Sequence, residues 1–448
     1  MATVAQAFAD YLLQNTHKII SPKVAIGYDG RLYSAAFAKL FARVLAGNGI
    51  KVVLSEKICP TPVLSYAVVD GKFDAGVMIT ASHNPSEYNG VKFKGSYGGS
   101  FFTEETAKVE MQLGQNLVQT EDGFSLSNFE INYIKALDNL VDFKVIRKKG
   151  VKILIDSMGG AAGSFIGNIL KSNGIESKSI FSEPDTQFYG RNPEPVEINL
   201  TPLMEELSSE HDFSFGVATD GDADRMGVVL DTGEYLSAQE LILIFAHYFT
   251  SNNLYPGNIA KTSSVTDKLL KLPLGDRDVI DVQVGFKFIC EAMLNENVAF
   301  GFEESGGFGI SKHIPERDGI LFTLILMEIL ADSGYKKLSN LVDDIRKIYG
   351  SIFYDRIDLP YKKEDRLTFL PGFFSTPYKK IAGLNVKSVS EFYSSRGIVN
   401  GLKFRLEGQN SWLLIRASET EPLIRFYAEG DDKKTLNSIM EFAKNIIK

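Results

Sequence analysis

Cysteine and histidine are scarce in this chain, and their scarcity excludes several kinds of site. The 448 residues include only two cysteines and five histidines. Cys59 and Cys290 lie far apart, so the sequence offers neither a disulfide framework nor a Cys-x-x-Cys motif. The histidines are scattered and do not follow the spacing of zinc ligands. These absences favour a cytoplasmic protein, in which any metal site must be built from oxygen ligands.

The chain also lacks an excess of positive charge and long apolar runs. Its formal net charge of −8 disfavours general binding to nucleic acid or to acidic membranes. The N-terminus has no signal-peptide hydrophobic region, and the apolar run at 241–246 is too short to span a bilayer. The apolar residues near the N-terminus instead follow the spacing of a short amphipathic helix, namely Val4, Phe8, Tyr11 and Leu12.

What is present is an ordinary globular composition, with 44% hydrophobic and 23% charged residues. Strand-like and helix-like runs alternate from residue 24, and the pattern restarts near 151 and again near 258. We expect Ser34 to cap the helix after the first strand. Beyond about residue 349 prolines and β-type runs precede a final helix. The pattern predicts three α/β domains and a smaller α+β domain, at 1–150, 151–253, 254–350 and 351–448.

A polar turn at 80–85, Thr-Ala-Ser-His-Asn-Pro, follows a short strand-like run. It presents the hydroxyl of Ser82, and the segment 89–94 brings Lys92 back towards it. A hydrolase pair of Ser82 and His83 is disfavoured, because adjacent side chains on an extended segment point to opposite faces and Gly-x-Ser-x-Gly is absent. A serine that carries a phosphate fits better, and a polar loop closed by Asn-Pro is the alternative.

An acidic turn at 220–225 gives the strongest chemical signal. Asp220, Asp222 and Asp224 alternate, so they can project to one side of an extended segment. Three crowded carboxylates repel one another, and a hard divalent cation such as Mg²⁺ would relieve this. An EF-hand is excluded because Arg225 stands where that loop requires glycine. A solvated acidic loop is the remaining alternative.

Two further segments carry groups suited to sugars. In the loop 301–307, Glu303 and Ser305 could project together towards ligand hydroxyls. The neighbouring segment 313–319 adds charge to the same connection, so His313 and Arg317 are candidate substrate ligands. An ion-paired loop is the alternative for this segment.

A polar turn at 416–422 carries groups suited to phosphate. Guanidinium forks and hydroxyls match phosphate oxygens in geometry and charge, and the glycines of a Walker P-loop are absent. An exposed polar turn is the alternative. The candidate phosphate ligands are Arg416, Ser418, Thr420 and Arg425.

Together these four segments resemble, in order and along essentially the whole chain, the motifs of the α-D-phosphohexomutase superfamily. The resemblance is to its bacterial phosphoglucomutase/phosphomannomutase group. It implies four domains around a central cleft, three of them similar mixed-sheet α/β domains and the fourth a TATA-binding-protein-like α+β domain. Phe302 and Glu419 depart from the family pattern, since each stands where glycine is common in its loop.

The resemblance also implies roles for individual residues. Ser82 would carry the transferable phosphoryl group and bind Mg²⁺ together with Asp220, Asp222 and Asp224. Lys92 would act as acid or base, Arg31 would lie near the phosphoserine and help to offset its charge, and His83 joins the catalytic candidates. A third-domain segment would contact substrate through Gly285, Phe286 and Lys287.

The implied reaction interconverts hexose 1-phosphate and hexose 6-phosphate, with hexose 1,6-bisphosphate as intermediate and activator. Residues 303–307 resemble the loop of phosphoglucomutases, so we expect glucose 1-phosphate to be the best substrate, mannose 1-phosphate a usable second and glucosamine phosphate a poor one. Phosphomannomutase, phosphoglucosamine mutase, a metal-dependent sugar-phosphatase with an aspartyl nucleophile and a non-catalytic sugar-phosphate sensor remain alternatives. The expected partners are hexose phosphates, without nucleic acid or membrane, and the expected state is a monomer or homodimer.

Overall fold

The computed structural model describes residues 1–15, 21–361, 372, 378–393, 398–418 and 422–446. The chain divides into two compact units. The first comprises Met1–Ala238, Cys290–Gly301 and Ser305–Asp343. The second comprises Gln239–Ile289, Phe302–Glu304 and Asp344–Lys448. Within the described residues no helix combines the length and the apolar character that crossing a membrane requires.

The first sheet carries the serine turn at 80–85. Its strands are β1 (Lys23–Tyr28), β2 (Lys51–Ser55), β3 (Ala75–Ile79), β4 (Val91–Gly95) and β5 (Phe124–Ser127). They lie in the order β4-β3-β1-β2-β5, and the β3–β4 pair is antiparallel whereas the other pairs are parallel. Because β3 and β4 run antiparallel, the turn between them returns Lys92 beside the strand that leads to Ser82.

The second sheet carries the acidic turn. Its strands are β6 (Ile153–Asp156), β7 (Ser177–Ile180), β8 (Phe215–Thr219), β9 (Met226–Leu230) and β10 (Tyr235–Leu236). They lie in the order β10-β9-β8-β6-β7. β8 and β9 form an antiparallel pair, and every residue of both strands is buried. The residues 220–225 therefore connect two rigid core strands.

The remaining strands form two sheets. A four-stranded sheet in the order β12-β11-β13-β14 consists of β11 (Asn258–Thr262), β12 (Val279–Val282), β13 (Val298–Glu303) and β14 (Gly307–Ile310). A six-stranded sheet in the order β15-β20-β19-β18-β17-β16 consists of β15 (Phe353–Pro360), β16 (Lys380–Ile381), β17 (Leu384–Tyr393), β18 (Val399–Leu406), β19 (Trp412–Ala417) and β20 (Leu423–Gly430). Its strand pairs are antiparallel. The predicted architecture of three mixed α/β sheets and a C-terminal sheet domain is confirmed.

Helices fill most of the intervals between these strands. In the first half of the chain they are α1 (Ala2–Asn15), α2 (Ser34–Gly47), α3 (Thr61–Asp70), α4 (Thr103–Met111), α5 (Glu130–Leu137), α6 (Phe143–Lys149), α7 (Phe165–Ser172) and α8 (Thr201–Ser209). In the second half they are α9 (Ala238–Ser251), α10 (Phe286–Asn295), α11 (Gly319–Ser333), α12 (Leu338–Tyr349) and α13 (Lys433–Ile446). Short 3₁₀ turns lie at Phe188–Gly190, Glu197–Asn199 and Asp267–Lys271.

The N-terminal helix is confirmed, and Phe8 of α1 is fully buried and stacks on Phe93 of β4 at a ring distance of 4.4 Å. Its amphipathic character is not, because all residues from Ala5 to Leu12 are buried. The predicted cap of α2 is wrong. Tyr33 is the N-cap residue and makes no side-chain cap bond. The Ser34 hydroxyl instead donates to Asp29 Oδ1 at 2.6 Å, so a buried carboxylate at the end of β1 has taken the hydroxyl that would otherwise cap the helix.

Candidate active site

The loop that follows β3 holds Ser82 in a strained conformation. Ser82 has a φ of 54°, in the left-handed region that non-glycine residues seldom adopt, and it is buried. Its backbone N–H donates to Thr80 Oγ1 at 2.8 Å, and the Thr80 hydroxyl donates to Asp29 Oδ2 at 2.6 Å. A chain of hydrogen bonds from the end of β1 thus maintains the strained turn and fixes the direction of the serine hydroxyl.

Arg31 holds this loop in place through several hydrogen bonds. Its Nε donates to Asp29 Oδ2 at 3.1 Å, and the guanidinium is buried. Its two Nη atoms donate four further bonds of 2.6–3.0 Å to backbone carbonyl oxygens, at Ser82, Asn84, Pro85 and Tyr88. Since these bonds all go to the protein, the geometry makes Arg31 a residue that positions the serine loop.

The acidic turn brings three buried carboxylates together. Asp220, Asp222 and Asp224 are fully buried, and one ligand oxygen from each lies within 4.8 Å of the others. The Ser82 hydroxyl donates to Asp220 Oδ2 at 3.0 Å. Among the described residues, Oδ1 of Asp222 and Oδ1 of Asp224 have no hydrogen-bond partner. Buried carboxylate oxygens without partners are costly, so this donor set fits a hard metal cation.

Glycine permits the close approach of the acidic turn to the serine loop. A Cβ at Gly221 would lie 2.4 Å from the carbonyl oxygen of Ser82. A second close contact involves Gly306, with a φ of 85°, where a Cβ would lie 2.3 Å from the Met226 carbonyl oxygen. Met226 N–H also donates to the Gly306 carbonyl at 3.0 Å. The end of the loop 301–307 is therefore tied to the strand that leaves the acidic turn.

Cations from two other segments meet the carboxylates. Lys92 Nζ lies 2.6 Å from Asp222 Oδ2 and 2.8 Å from Asp224 Oδ2. Arg317 Nη2 lies 2.6 Å from the same Asp224 oxygen. Burial alone would lower the pKa of Lys92, but Asp222 and Asp224 outweigh it and raise that pKa above its ordinary value. Lys92 is therefore a charged donor in this arrangement.

The pKa values of Asp220 and Asp224 are shifted in opposite directions. Burial, followed by repulsion from Asp224 and Asp222, raises the pKa of Asp220 well above its ordinary value. Burial also acts to raise the pKa of Asp224, but Arg317, Lys92 and Arg225 outweigh it and lower that pKa. A divalent cation would favour the ionised form of all three groups, because its charge opposes both burial and mutual repulsion.

His83 lies in a strongly positive environment. Arg225 acts most strongly, followed by burial, Lys92 and Arg317, and together they lower the pKa of His83 to about 2. The imidazole is therefore neutral at pH 7. Cations gathered next to Ser82 form surroundings suited to an anion such as a phosphoryl group. The catalytic role of His83 stays a prediction.

Two residues of this site were missed by the sequence analysis. Thr61, at the start of α3, donates its hydroxyl to Asp222 Oδ2 and its N–H to the Asp222 carbonyl at 2.9 Å. Arg225 contributes to the positive environment of His83, although the sequence analysis used it only to exclude an EF-hand. No local pattern identifies Thr61, because its partner is 161 positions away.

His313 and the residues of the sugar loop lie in distinct surroundings. The His313 side chain is buried, with Nε2 3.2 Å from Asp318 Oδ2 and its ring stacked on Tyr66. This placement favours the ion-paired alternative, and its contact with substrate stays a prediction. Glu303 is buried at the end of β13, and Ser305 is half-buried in the turn that follows.

In the second unit, Arg416 of β19 and Arg425 of β20 are directly opposite one another in the sheet. Ser418 follows β19, is buried, and its N–H donates to the Leu423 carbonyl at 3.0 Å. The predicted ligand Thr420 and the family departure Glu419 lie outside the described residues. The third-domain segment precedes and begins α10, with Gly285 at a φ of 129°, Phe286 buried and Lys287 half-buried.

The chain is similar to known proteins along most of its length. Sequence models of the phosphoglucomutase/phosphomannomutase α/β/α domains I, II and III match residues 1–118, 132–233 and 237–349, and that of the C-terminal domain matches 377–446. A phosphoglucomutase/phosphomannomutase of Thermococcus kodakarensis is 29% identical, covering 95% of this chain and 90% of the relative. A probable phosphoglucosamine mutase of Methanosphaera stadtmanae is 30% identical, covering 99% and 94%.

A solved structure is also similar. It comes from Thermus thermophilus, is provisionally described as a phosphomannomutase, and has 34% sequence identity to this chain. The alignment covers 99% of this chain and 94% of that chain, with a TM-score of 0.85. The sequence and structural comparisons therefore agree over nearly the full length.

Proposed function

The chain belongs to the phosphoglucomutase/phosphomannomutase family of the α-D-phosphohexomutases, which are isomerases, and we propose that it interconverts hexose 1-phosphates and 6-phosphates through a phosphoserine at Ser82. The observation that carries this proposal is the Ser82 hydroxyl, 3.0 Å from one of three buried carboxylates. Two of those carboxylates have an oxygen without a hydrogen-bond partner among the described residues.

In the first half of the reaction, a free hydroxyl of the sugar phosphate attacks the phosphorus atom on Ser82. The new bond joins phosphorus to the sugar oxygen, the bond from phosphorus to Ser82 Oγ breaks, and the product is hexose 1,6-bisphosphate. In the second half, Ser82 Oγ attacks the phosphorus of the other phosphate of that intermediate, and the bond from that phosphorus to the sugar oxygen breaks. The proton of the Ser82 hydroxyl leaves towards Asp220, which already accepts its hydrogen bond, and it returns to Ser82 Oγ in the first half. The phosphoserine is thereby restored and the isomeric monophosphate is released.

Asp220, Asp222 and Asp224, together with the phosphoryl group on Ser82, would hold Mg²⁺. When bound, this ion supplies Lewis-acid stabilisation of the charge on the transferring group. Arg31 keeps the serine loop in its strained turn, and Thr61 orients the carboxylate of Asp222. Arg225 and Arg317 add positive charge near Ser82, where the phosphoryl group carries about −1.5 to −2.

We assign the proton transfer at the sugar oxygen to Lys92. Held charged by Asp222 and Asp224, it is suited to donate a proton to the sugar oxygen that leaves when Ser82 is rephosphorylated. By reversibility, its neutral form would accept the proton of the attacking hydroxyl in the other direction. Lys92→Gln should therefore slow both halves of the reaction.

The reaction also needs groups that hold the sugar and its second phosphate. We assign the sugar hydroxyls to Glu303 and Ser305, and the phosphate that is not transferred to arginine and hydroxyl groups of the C-terminal domain. Those groups are Arg416, Ser418, Thr420 and Arg425, with Lys287 as a further candidate.

Glucose 1-phosphate is the proposed preferred substrate, because the loop 303–307 lacks both the glutamine of phosphoglucosamine mutases and the histidine of many phosphomannomutases. The names of the relatives favour a second candidate, phosphoglucosamine mutase, since the Methanosphaera protein carries that name. Mannose 1-phosphate is the third.

The test is kcat/KM for the 1-phosphates of glucose, mannose and glucosamine on enzyme phosphorylated at Ser82. Glucose 1-phosphate should lead by about tenfold or more, since leaving one polar group of a site unpaired costs roughly 1–3 kcal/mol. A preference for glucosamine 1-phosphate would establish the second candidate. Release of inorganic phosphate without isomerisation would instead indicate a phosphatase.

A further inference from the structure

One face of the C-terminal sheet carries charged residues that the motifs do not include. Asp358 of β15 is directly opposite Arg425 of β20, which is itself opposite Arg416 of β19. Arg356 is two residues before Asp358 and therefore lies on the same face of the sheet. These four residues form a continuous charged row, and all of them belong to the second unit.

Asp358 forms ion pairs with two of the three arginines, Arg356 and Arg425. Arg356 donates Nε to Asp358 Oδ1 at 2.7 Å and Nη2 to Oδ2 at 2.6 Å, a bidentate pair. Arg425 Nε lies 3.3 Å from the same Oδ2. The carboxylate thus lies between two guanidinium groups, and one of them is a proposed phosphate ligand.

The charge of the row suits a phosphate. Three guanidinium groups face the carboxylates of Asp358 and, nearby, of Glu304, so the local charge stays positive, as binding of a phosphate monoester requires. Although its burial opposes ionisation, Arg356 and Arg425 lower the pKa of Asp358, so the carboxylate stays charged. The excess positive charge therefore persists at neutral pH.

Arg356 is also held in a fixed direction. Its guanidinium carbon lies 5.5 Å from the centre of the Tyr427 ring, on the neighbouring strand. Both hydrogen bonds to Asp358 are donated by Nε and Nη2 of Arg356. The N–H groups of Nη1 do not take part in this pair and can donate to a ligand. Burial opposes the charge of Arg356, but Asp358 outweighs it and raises the pKa of Arg356, with a smaller contribution from Glu304 of the sugar loop. Asp358 also places Arg356 beside Arg425, because both arginines approach its Oδ2.

We propose that Arg356 is a further phosphate-binding residue, which Asp358 holds beside Arg425 so that both contact the phosphate that is not transferred. This inference rests on the proposed function and adds to it a ligand outside the family motif. The competing interpretation is an ordinary surface ion pair, since the Arg356 side chain is 40% exposed and that of Asp358 30% exposed. The two interpretations differ in their effect on ligand affinity.

The experiment measures binding of glucose 1,6-bisphosphate to the full-length Ser82→Ala protein by titration calorimetry, which separates binding from turnover. Adding Arg356→Gln should weaken the affinity about tenfold to a hundredfold, because hydrogen bonds to charged groups are strong. Arg356→Lys should recover part of that loss. The matched control is Arg43→Gln, which removes another exposed ion pair, with Asp122, and should leave the affinity unchanged.

The possible results separate the two claims. Weaker binding in the Arg356→Gln protein, with partial recovery by lysine and no effect of the control, supports the inference. Equal affinities in the Arg356→Gln protein and its parent would overturn it and leave the proposed function standing. If the Ser82→Ala protein bound no bisphosphate at all, the proposed function would be wrong and this inference with it.

Discussion

Two clusters of buried or largely buried charge among the described residues, one in each unit, are built differently. The first surrounds the acidic turn and consists of Asp220, Asp222, Asp224, Lys92 and Arg317. The second joins the β11–β12 region to the C-terminal sheet and consists of Lys261, Asp267, Asp281, Lys403 and Arg405. Both combine carboxylates with lysine and arginine, so composition alone does not distinguish them.

The second cluster is closed. Lys261 Nζ lies 2.6 Å from Asp281 Oδ1 and 2.9 Å from Asp267 Oδ1, which Lys403 Nζ also approaches at 2.8 Å. Arg405 lies against the Oδ2 atoms of both aspartates. Each carboxylate oxygen thus faces a cation. Although burial opposes ionisation, these cations lower the pKa of Asp267 and Asp281.

The first cluster is open, and this difference distinguishes a ligand site from a structural ion network. Oδ1 of Asp222 and Oδ1 of Asp224 are buried without a hydrogen-bond partner among the described residues, and the same is true of Asp281 Oδ1 in the second cluster. Asp281 Oδ1 nevertheless has the Lys261 ammonium at 2.6 Å, whereas Arg225 Nε lies 3.9 Å from Asp224 Oδ1. Repulsion between the carboxylates contributes to the raised pKa of Asp220. In a closed network the protein's own charges compensate one another, so removing one partner is destabilising, whereas an open network is completed by a cation.

The largest expected effect is on activity, in the open cluster. Asp222→Asn should lower kcat by about a thousandfold, since it weakens the metal site and the contact with Lys92. Thermal unfolding in chelator should change little, because the substitution removes a negative charge from a crowded site. Full activity of this variant in chelator would contradict the metal assignment.

The closed cluster should respond in the opposite way. Asp267→Asn leaves Lys261 and Lys403 buried with fewer partners, so the free energy of unfolding should fall by about 3–5 kcal/mol. At a temperature where the variant is folded, KM and kcat should stay within a few-fold of the parent values. Denaturant unfolding and steady-state kinetics measure the two effects. Loss of activity without loss of stability would show that this network is also part of the active site.

A pH effect is expected next to the closed cluster. Burial raises the pKa of Glu429 to about 7, despite hydrogen bonds from Thr266 and Trp412. The folded state therefore holds this proton more tightly than the unfolded state does. The resulting contribution to stability is complete below about pH 4.5 and is lost as pH rises through about 7, a change of about 3 kcal/mol.

Glu429→Gln should flatten the dependence of unfolding free energy on pH between these values. An unchanged pH profile would contradict the assignment.

The smallest effect is expected at the C-terminal arginines. Arg425→Ala should raise KM for glucose 1-phosphate about tenfold to a hundredfold and should affect less the phosphorylation of Ser82 by bisphosphate. Arg405→Ala is the comparison from the closed cluster and should change stability more than KM. Unchanged kinetics of the Arg425 variant would remove the C-terminal domain from substrate binding.

The sequence predicted the chemistry of the open cluster because its signals are local. Each signal lies within a segment of six residues. These segments hold the alternating aspartates (220–225), the serine turn (80–85) and the returning lysine (89–94). The closed cluster was not predicted, because its members form no motif and paired members lie up to 138 positions apart. Thr61 was missed for the same reason. Arg356 and Asp358 are close in sequence, but their relation to Arg425 depends on the pairing of β15 with β20.

The sequence also predicted the order of helices and strands better than the roles of single polar residues. Ser34 has the composition of a helix cap, but the buried Asp29 competes for its hydroxyl. Arg31 was expected to offset the phosphoryl charge, which stays a prediction, and the structure adds hydrogen bonds from Arg31 to the carbonyls of the serine loop that the sequence did not predict. In both cases the hydrogen-bond partners depend on the fold.

The central claim is that the open cluster transfers a phosphoryl group through Ser82. The most direct test incubates dephosphorylated protein with labelled glucose 1,6-bisphosphate and maps the labelled peptide, with Mg²⁺ or with chelator. We predict label on Ser82 that requires Mg²⁺, is lost in Ser82→Ala and persists in Ser86→Ala, a change in the same loop. Label on an aspartate of the acidic turn, or undiminished labelling of the Ser82→Ala protein, would contradict the account.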